Sequence, residues 1–327
     1  MIAPAGGNPW PSHSLSAMRS IFSTSTVEAE RLHTLDLYFI IAAAVVFLTV
    51  FGATTYFSWK YRHRDHDDQA EPQQTSSNLK LESVLVGVPT LLIVAFFFLS
   101  FNTTRAVLPP AGDTVPTVRI TGHQWWWQAS YPGTNVQTAN EIHLPIGRRL
   151  LIEGTSADVI HDWWVPSFGE KMDVVPGLRN HVWATIKEPG IYEGACNEFC
   201  GQQHAWMRIR VVAHTPADYA RWLAAAARPA AEPADRLAQA GAQVFARAAC
   251  SSCHQIRGTA AQGQQGPDLT HFGSRETMLA GLLPNNQVNL ANWLRNPQAL
   301  KPGAHMPRFI FAPDTIRALT AYLSGLK

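Results

Sequence analysis

Two long hydrophobic runs near the N-terminus dominate the pattern of apolar and polar residues. Leu37–Trp59 is an uncharged run of 23 residues, and Ser83–Thr104 is another of 22. Each is long enough to cross about 30 Å of hydrocarbon as an α-helix. Neither has a polar face, so the runs predict a pair of transmembrane helices rather than a buried helical hairpin of a soluble protein. Residues 1–34 lack a basic segment followed directly by a short apolar core, and no cleavable signal peptide is predicted there.

Beyond the second run the pattern changes to short alternating segments. Val115–Thr121 and Arg149–Gly154 alternate apolar and polar residues, and Pro and Gly punctuate the sequence around them. This spacing is typical of an antiparallel β-sandwich, which is predicted from about Val107 to His214. A short helical tail is expected around Asp218–Trp222.

The C-terminal part of the chain has the periodicity of helices. One amphipathic helix is predicted to run into Cys250, another to lie near Val288–Asn296, and a last one to begin at Asp314, whose carboxylate suits an N-terminal cap. An Ala-rich stretch at 224–234, interrupted by two prolines, predicts an interdomain linker.

These patterns divide the 327 residues into five segments. In chain order they are an N-terminal extracytoplasmic segment at 1–34, a transmembrane helix hairpin at 35–105, an all-β domain at 106–214, a helical tail and linker at 215–234, and an all-α domain at 235–327. Hydrophobic residues make up 46% of the chain and charged residues only 15%, which favours a membrane protein of several domains.

The basic residues that flank the two runs predict the orientation of the chain. Four of them lie between the runs, close to the membrane: Lys60, Arg62, Arg64 and Lys80. Only Arg19 and Arg31 precede the first run. The positive-inside rule therefore places the connecting loop in the cytoplasm and everything after Arg105 on the outer face. The net charge of +2, with no basic tract interleaved with aromatic residues, gives no sign of a nucleic-acid partner.

A cluster of soft metal ligands lies late in the predicted sandwich. Within twelve residues the chain places Cys196, Glu198, Cys200, His204 and Met207, and His161 lies upstream in a segment able to fold back over this loop. Thiolates and thioethers select copper over hard cations, and imidazole is compatible with copper. A disulfide, a thioredoxin-like copper-transfer motif or a zinc site are the alternatives, but a disulfide explains neither His204 nor Met207, and structural zinc sites rarely use Met.

The other two cysteines form the motif Cys250-Ser-Ser-Cys253-His254, which is typical of covalent c-type haem attachment with an axial imidazole. Met306 lies about fifty residues further on, in a segment that resembles the Met loop of class I cytochromes c, and this resemblance implies that it is the second axial ligand. A Met ligand raises the haem potential. His305 as the ligand, and Met306 as a core residue, are the alternatives.

The spacing of His161, the Cys-x-Glu-x-Cys loop, His204 and Met207 resembles subunit II of the haem-copper cytochrome c oxidases. Gly122–Trp127 is similar to the aromatic segment of that family, and Val165–Gly169 to its second signature. The resemblance implies a cupredoxin fold with a binuclear copper A centre, whose ligands are His161, Cys196, Glu198, Cys200, His204 and Met207. The segment Lys301–Pro307 resembles the Met loop of class I cytochromes c, and Gly266–Leu269 the loop that packs against their proximal His.

The same resemblance implies three further roles. Trp125 is the aromatic contact for electron transfer between haem and copper, with a plain core Trp as the alternative. The Glu198 side chain reaches a magnesium or manganese ion shared with subunit I, with a solvated acid as the alternative. Glu82 stands at the start of a proton channel, and a charge that stabilises the helix start explains it equally well.

The implied function is the electron-accepting subunit of a caa3-type proton-pumping terminal oxidase. Oxygen is reduced in subunit I, and the other expected partners are subunit III, membrane lipid, and a cytochrome c or bc-type complex as donor. The implied location is the bacterial inner membrane, with both soluble domains on the periplasmic face. The alternatives are the corresponding subunit of a copper-containing nitric oxide reductase and a membrane-anchored copper delivery protein, which would need no haem.

The net charges of the two soluble domains predict that the domains meet. Residues 106–214 have a net charge of −2 and residues 235–327 a net charge of +5. Opposite signs favour encounter, and a tether of some twenty residues would keep the domains close enough for a weak, exchanging contact to suffice.

Overall fold

The two apolar runs form two long helices. The computed structural model describes residues 23–62, 77–108 and 115–327. Helix α1 spans Val27–Lys60 and helix α2 spans Leu79–Val107, so both are longer than the runs that predicted them. At the start of α1, Thr26 accepts a hydrogen bond from the Ala29 N–H, which lets polar residues join the first turns.

The helix pair has the surface of a membrane hairpin. The rings of Phe39 on α1 and Phe96 on α2 stack with centroids 4.1 Å apart. Both helices are long and apolar enough to cross a membrane, and most of their large side chains are exposed. Of the cations used to predict the orientation, Arg19 and Arg64 lie outside the described residues.

Ten strands form the sandwich as two five-stranded sheets. They are β1 Val118–His123, β2 Trp126–Ser130, β3 Gln137–Ala139, β4 Glu141–Pro145, β5 Leu150–Ser156, β6 His161–Trp164, β7 Lys171–Val174, β8 Asn180–Ala184, β9 Gly190–Cys196 and β10 Arg208–His214. The strand orders are β3-β2-β1-β5-β8 and β4-β10-β9-β6-β7. Ile120, Trp127, Ile152 and Tyr192 are among the side chains buried between the sheets.

The prediction of a purely antiparallel sandwich is wrong in one respect. Strand β1 pairs with β5 in parallel, and β4 pairs with β10 in parallel, while the other neighbours are antiparallel. Alternation of apolar and polar residues fixes which face of a strand is buried, but it carries no information about the direction of the neighbouring strand.

The C-terminal helical domain is built from α4 to α8. These helices are α4 Arg236–Arg247, α5 Cys250–Cys253, α6 Gln287–Arg295, α7 Pro297–Leu300 and α8 Pro313–Gly325, with a hairpin of β11 Thr277–Met278 and β12 Leu283–Pro284. Helices α4 and α8 cross closely at Gly241, where a Cβ atom would lie 2.0 Å from the Ala318 carbonyl oxygen. The Phe245 and Tyr322 rings pack edge to face nearby.

The predicted cap at Asp314 is wrong. Helix α8 begins one residue earlier, at Pro313, after the cap residue Ala312. Proline suits the first helical position, because its fixed φ is helical and its missing N–H is not needed there. Asp314 lies in the first turn and pairs with Arg317 at 2.6 Å.

The predicted helical tail is longer and more firmly held than expected. Helix α3 spans Pro216–Ala226, and Trp222 stacks on the His143 ring of β4 at 4.1 Å. Only residues 227–235 connect α3 to α4 without helix. The expected tether of some twenty residues is therefore wrong, because most of it packs against the sandwich. The sandwich and the helical domain belong to one compact unit of the chain, and Glu30–Leu108 forms the other.

Candidate copper centre and haem cavity

Pairing of β6 with β9 brings the upstream His to the Cys loop. Trp163 of β6 lies opposite Cys196 of β9, so His161, two residues earlier, lies level with the Cys loop that follows β9. Strand β1 leaves room for the imidazole at Gly122, where a Cβ atom would come within 2.8 Å of the His161 ring.

All six predicted copper ligands meet in one cluster. The two sulfur atoms of Cys196 and Cys200 are 3.7 Å apart. Around Cys196 Sγ lie the Glu198 carbonyl oxygen at 3.2 Å and His161 Nδ1 at 4.0 Å. Around Cys200 Sγ lie His204 Nδ1 at 3.6 Å and Met207 Sδ at 3.8 Å. The donors thus form two groups, one around each sulfur.

The cluster has the chemistry of a buried soft-metal site. Cys196 and Cys200 are both free thiols in the structure, which does not contain the disulfide considered as an alternative. Cys196, Cys200 and Met207 are buried. The hydrogen bond between the Cys196 and Cys200 sulfur atoms lowers the pKa of Cys196 far below that of an ordinary thiol and so favours the thiolate, the form that binds metals.

Asp158 contacts the ligand His161 and was not predicted from the sequence to belong to the site. Its Oδ1 lies 2.8 Å from His161 Nε2, and its Oδ2 accepts a 2.6 Å hydrogen bond from the Gln124 N–H. A carboxylate on one ring nitrogen fixes a ligand imidazole with its other nitrogen towards the metal. Burial opposes protonation of His161, but the hydrogen bonds to Cys196 and Asp158 outweigh it and raise the pKa. The sequence feature that could have indicated this contact is the position of Asp158 three residues before His161.

A cavity of about 430 Å³ in the helical domain brings the predicted haem residues together. Its lining includes Cys250, Cys253, His254, His305 and Met306. Apolar side chains such as Phe245, Leu290, Leu294, Leu319 and Leu323 form much of the remaining wall. Covalent cysteines, an axial imidazole and an apolar enclosure are what haem c requires.

The proximal imidazole is held ready to bind a metal. His254 Nδ1 lies 2.8 Å from the Pro267 carbonyl oxygen, which leaves Nε2 as the ligand nitrogen. Gly266 allows this approach, because a Cβ atom there would lie 2.6 Å from the imidazole. Met306, the predicted second axial ligand, and His305, the alternative ligand, both line the cavity.

Trp125 lies between the copper cluster and the cavity. Its indole N–H donates to the Cys200 carbonyl oxygen at 3.0 Å, and Gln124 Nε2 donates to the same oxygen at 2.9 Å. The Trp125 ring lies 4.9 Å from the His305 ring, and Trp125 also lines the cavity. One side chain therefore contacts both predicted cofactor sites.

The two remaining predicted residues lie at the surface. The Glu198 side chain is exposed while its carbonyl oxygen faces Cys196. Glu82 lies in the first turn of α2 and accepts a 3.0 Å hydrogen bond from the Asn78 N–H. This contact belongs to helix capping, the alternative role for Glu82.

Comparisons with known proteins match the same two domains. Residues 133–214 match the family described as "Cytochrome C oxidase subunit II, periplasmic domain", and residues 238–327 match the family "Cytochrome c". The chain is 36% identical to "Cytochrome c oxidase subunit 2" of Alkalihalophilus pseudofirmus, over 88% of this chain and 85% of that protein. It belongs to the cytochrome c oxidase subunit 2 family.

The chain is also similar to other members of the family. Identity to "Cytochrome c oxidase subunit 2" of Bacillus sp. PS3 is 30%, over 82% of this chain and 80% of that protein. The crystal structure of the periplasmic domain of subunit II of cytochrome oxidase from Bradyrhizobium japonicum is 30% identical, covers 36% of this chain and 96% of that domain, and superposes with a TM-score of 0.34.

Family membership confirms the predicted multidomain fold of a helix hairpin, a cupredoxin sandwich and a cytochrome c domain, which is the caa3-type fusion. It makes the chain a membrane-anchored subunit of a cytochrome c oxidase, an enzyme complex with further subunits. The subunit 2 and cytochrome c domains imply copper A and haem c respectively. The soft donor cluster fits copper, and the apolar cavity beside Cys250 and Cys253 fits haem c.

Proposed function

We propose that this chain accepts electrons at a covalently bound haem c and delivers them through copper A to the haem of subunit I. The observation that carries the proposal is the position of Trp125, which is bonded to Cys200 at one end and packed on His305 at the other. Packed, bonded atoms couple two redox centres better than a gap filled with solvent, and this side chain closes the gap between the two sites.

In the proposed copper centre, the thiolates of Cys196 and Cys200 would hold the two copper ions. His161 binds one ion and His204 the other, and the division of donors around the two sulfur atoms supports this assignment. Met207 and the Glu198 carbonyl are the weak outer ligands. Copper supplies a reversible one-electron change. The protein holds the donors in a buried frame on β6, β9 and the loop that follows, so that little rearrangement accompanies the change of charge.

In the proposed haem site, Cys250 and Cys253 would form the thioether bonds, and His254 and Met306 would bind the iron. Haem c supplies the second reversible one-electron centre, and a Met ligand keeps its potential high. The helical domain encloses the group in apolar side chains and holds the His254 ring through the Pro267 carbonyl.

The surrounding assignments follow the same proposal. The chain assembles with subunits I and III in the bacterial inner membrane, with both soluble domains on the periplasmic face. A cytochrome c or bc-type complex supplies electrons, and oxygen is reduced in subunit I. The Glu198 carboxylate binds a magnesium or manganese ion at the boundary with subunit I, and Glu82 takes up protons from the cytoplasm.

The cofactor assignments are tested by paired variants in the purified oxidase. Cys200→Ser should lose both copper ions and their near-infrared band but keep covalent haem. The double variant Cys250→Ala with Cys253→Ala should lose covalent haem but keep copper. Metal analysis and haem staining of denatured subunits measure both, and each variant is the control for the other. A full copper complement in Cys200→Ser would contradict the ligand assignment.

A further inference from the structure

Lys301 is a buried cation where the helical domain contacts the sandwich. It follows α7 and is only 5% exposed. Its Nζ donates to three main-chain carbonyl oxygens, those of Trp125 at 3.2 Å, Leu279 at 3.3 Å and Trp206 at 3.4 Å. An ammonium group has three donors, and the three carbonyls use all of them. Within the described parts of the chain, no carboxylate forms an ion pair with Lys301.

The three carbonyls come from both domains. Leu279 belongs to the helical domain, in the turn between β11 and β12, whereas Trp125 and Trp206 belong to the sandwich. A buried charge is costly unless its hydrogen bonds are made. Lys301 satisfies its donors only while the two domains meet in this one register. It therefore specifies how the domains are placed, in addition to any effect on how tightly they bind.

Both sandwich carbonyls adjoin the proposed electron path. Trp206 directly precedes Met207, whose sulfur lies 3.8 Å from Cys200 Sγ. The indole of Trp125 is bonded to Cys200. On the other side, Lys301 lies five residues before Met306 and lines the same cavity. A single ammonium thus touches main chain on the copper side and the haem side.

The residues that follow Lys301 continue the same contact. Gln203 Nε2 donates to the Pro302 carbonyl oxygen. Gly303 has a φ of 86°, and a Cβ atom there would lie 2.3 Å from the Gln202 side chain. The left-handed backbone favours glycine at this position, and the end of the Gln202 side chain lies against it. The loop 301–303 is therefore fitted against the loop 202–206, which lies between the copper ligands Cys200 and Met207.

We propose that Lys301 is a positioning residue for electron transfer between the two cofactor sites. Its three carbonyl contacts hold the loop of Met306 in register with the copper loop. A hydrophobic side chain of similar length would fill the same space and leave the domains in contact, but it would not select this register. The inference rests on the proposed function, since it concerns the path from haem to copper.

The test uses Lys301→Met in the complete oxidase, with Lys327→Met as the matched control. Lys327 is an exposed cation of the same domain, so the control removes the same charge by the same substitution. Haem-to-copper transfer is timed after photochemical electron injection, and hydrogen exchange is measured over residues 202–206 and 276–282. We expect Lys301→Met to slow transfer by roughly tenfold or more and to speed exchange in both segments, with unchanged haem and copper spectra. Lys327→Met should match the wild type.

A second variant keeps the inference testable if Lys301→Met does not assemble. Lys301→Gln retains two N–H donors, and its transfer rate should fall between those of the wild type and Lys301→Met. Wild-type rates and exchange in the Lys301 variants would overturn the inference, as would slowing that comes only with loss of a cofactor spectrum. A wild type in which haem never reduces copper would instead contradict the proposed function.

Discussion

At the scale of single residues, Trp125 gives the sharpest prediction. Trp125→Phe keeps an aromatic ring but removes the indole N–H that bonds the Cys200 carbonyl. Transfer from haem to copper should slow by roughly tenfold, with little change in thermal stability, because the ring still fills the core. Flash kinetics measure the rate. Trp126→Phe is the control, since Trp126 stacks on His123 and, among the residues that the structure describes, its indole does not hydrogen-bond the copper loop. Equal rates in both variants would make Trp125 a plain core residue.

Glu198 gives a second prediction at this scale. Its carbonyl oxygen faces Cys196, and its carboxylate is exposed. Glu198→Gln should keep the carbonyl and therefore keep copper, but it should weaken binding of manganese, a hard cation that prefers a charged oxygen ligand. Electron paramagnetic resonance of the manganese-substituted oxidase measures the site. An unchanged manganese spectrum in the variant would mean that this carboxylate is only solvated.

The ligands could be predicted from the sequence and their supporting residues could not. Cys196, Cys200 and Met207 carry chemistry in their residue types and spacing. Asp158 and Lys301 act through one imidazole nitrogen and through main-chain carbonyls. Asp and Lys are common at protein surfaces, and only the folded chain shows which of them contact the copper ligands or their neighbours.

At the scale of elements, a variant at the start of α2 can distinguish the two roles considered for Glu82, helix capping and proton uptake. The carboxylate accepts a hydrogen bond from the Asn78 N–H, and a glutamine oxygen can accept the same bond. Glu82→Gln should therefore preserve the helix start, yet slow steady-state oxygen reduction by roughly tenfold or more if the carboxylate takes up protons. Reduction of haem c and copper should stay fast.

The control for Glu82 is Asn78→Ala. Asn78 accepts from the Leu81 N–H at 3.2 Å, so its loss weakens the cap by about 1 kcal/mol without removing an acid. Oxygen consumption in Asn78→Ala should equal that of the wild type. Oxygen reduction at the wild-type rate in Glu82→Gln would contradict a role in proton uptake and would mean that Glu82 only stabilises the start of α2.

Helix α3 gives a prediction about pH. Its Trp222 stacks on His143, and His143 Nδ1 lies 2.8 Å from His214 Nε2. Burial, followed by the neighbouring His214, lowers the pKa of His143 from its ordinary value of 6.5 to about 3. Between pH 6.5 and about 3, His143 is protonated in the unfolded chain but stays neutral in the folded chain. Stability should therefore fall as pH drops from 6.5 towards 3, by about 1.4 kcal/mol per pH unit from this group.

Thermal unfolding of the complete chain at several pH values measures this effect. His143→Asn removes the titrating group, and its unfolding midpoint should depend less steeply on pH over this range. An identical slope in the wild type and His143→Asn would assign the acid sensitivity to other groups.

Periodicity predicted the elements better than it predicted their partners. The two apolar runs, the strands and the helix near Val288 are all present. The parallel pairs β1–β5 and β4–β10 were not predicted, since strand order depends on connections that cross between the sheets. The start of α8 was also placed wrongly, because Pro313 and Asp314 are both favourable at a helix start.

At the scale of the whole molecule, net charge predicted that the soluble domains meet but not how. The sandwich is acidic overall, yet its Arg210 contacts Glu276 of the helical domain. The buried Glu141 accepts from the Thr277 N–H and Oγ1–H, both at 2.8 Å. Lys301 meets carbonyl oxygens rather than acids. The contact is made by specific hydrogen bonds and an ion pair between the two domains; its strength and rate of exchange stay predictions.

The most direct test of the account is to inject one electron photochemically into the purified oxidase and to follow haem c and copper at their separate wavelengths. We predict that haem c is reduced first and that copper is reduced as haem c is reoxidised, before the haem of subunit I. In Cys200→Ser, haem c should stay reduced because its acceptor is gone. Reduction of the subunit I haem at the wild-type rate in Cys200→Ser, or copper reduction that precedes haem c, would contradict the account.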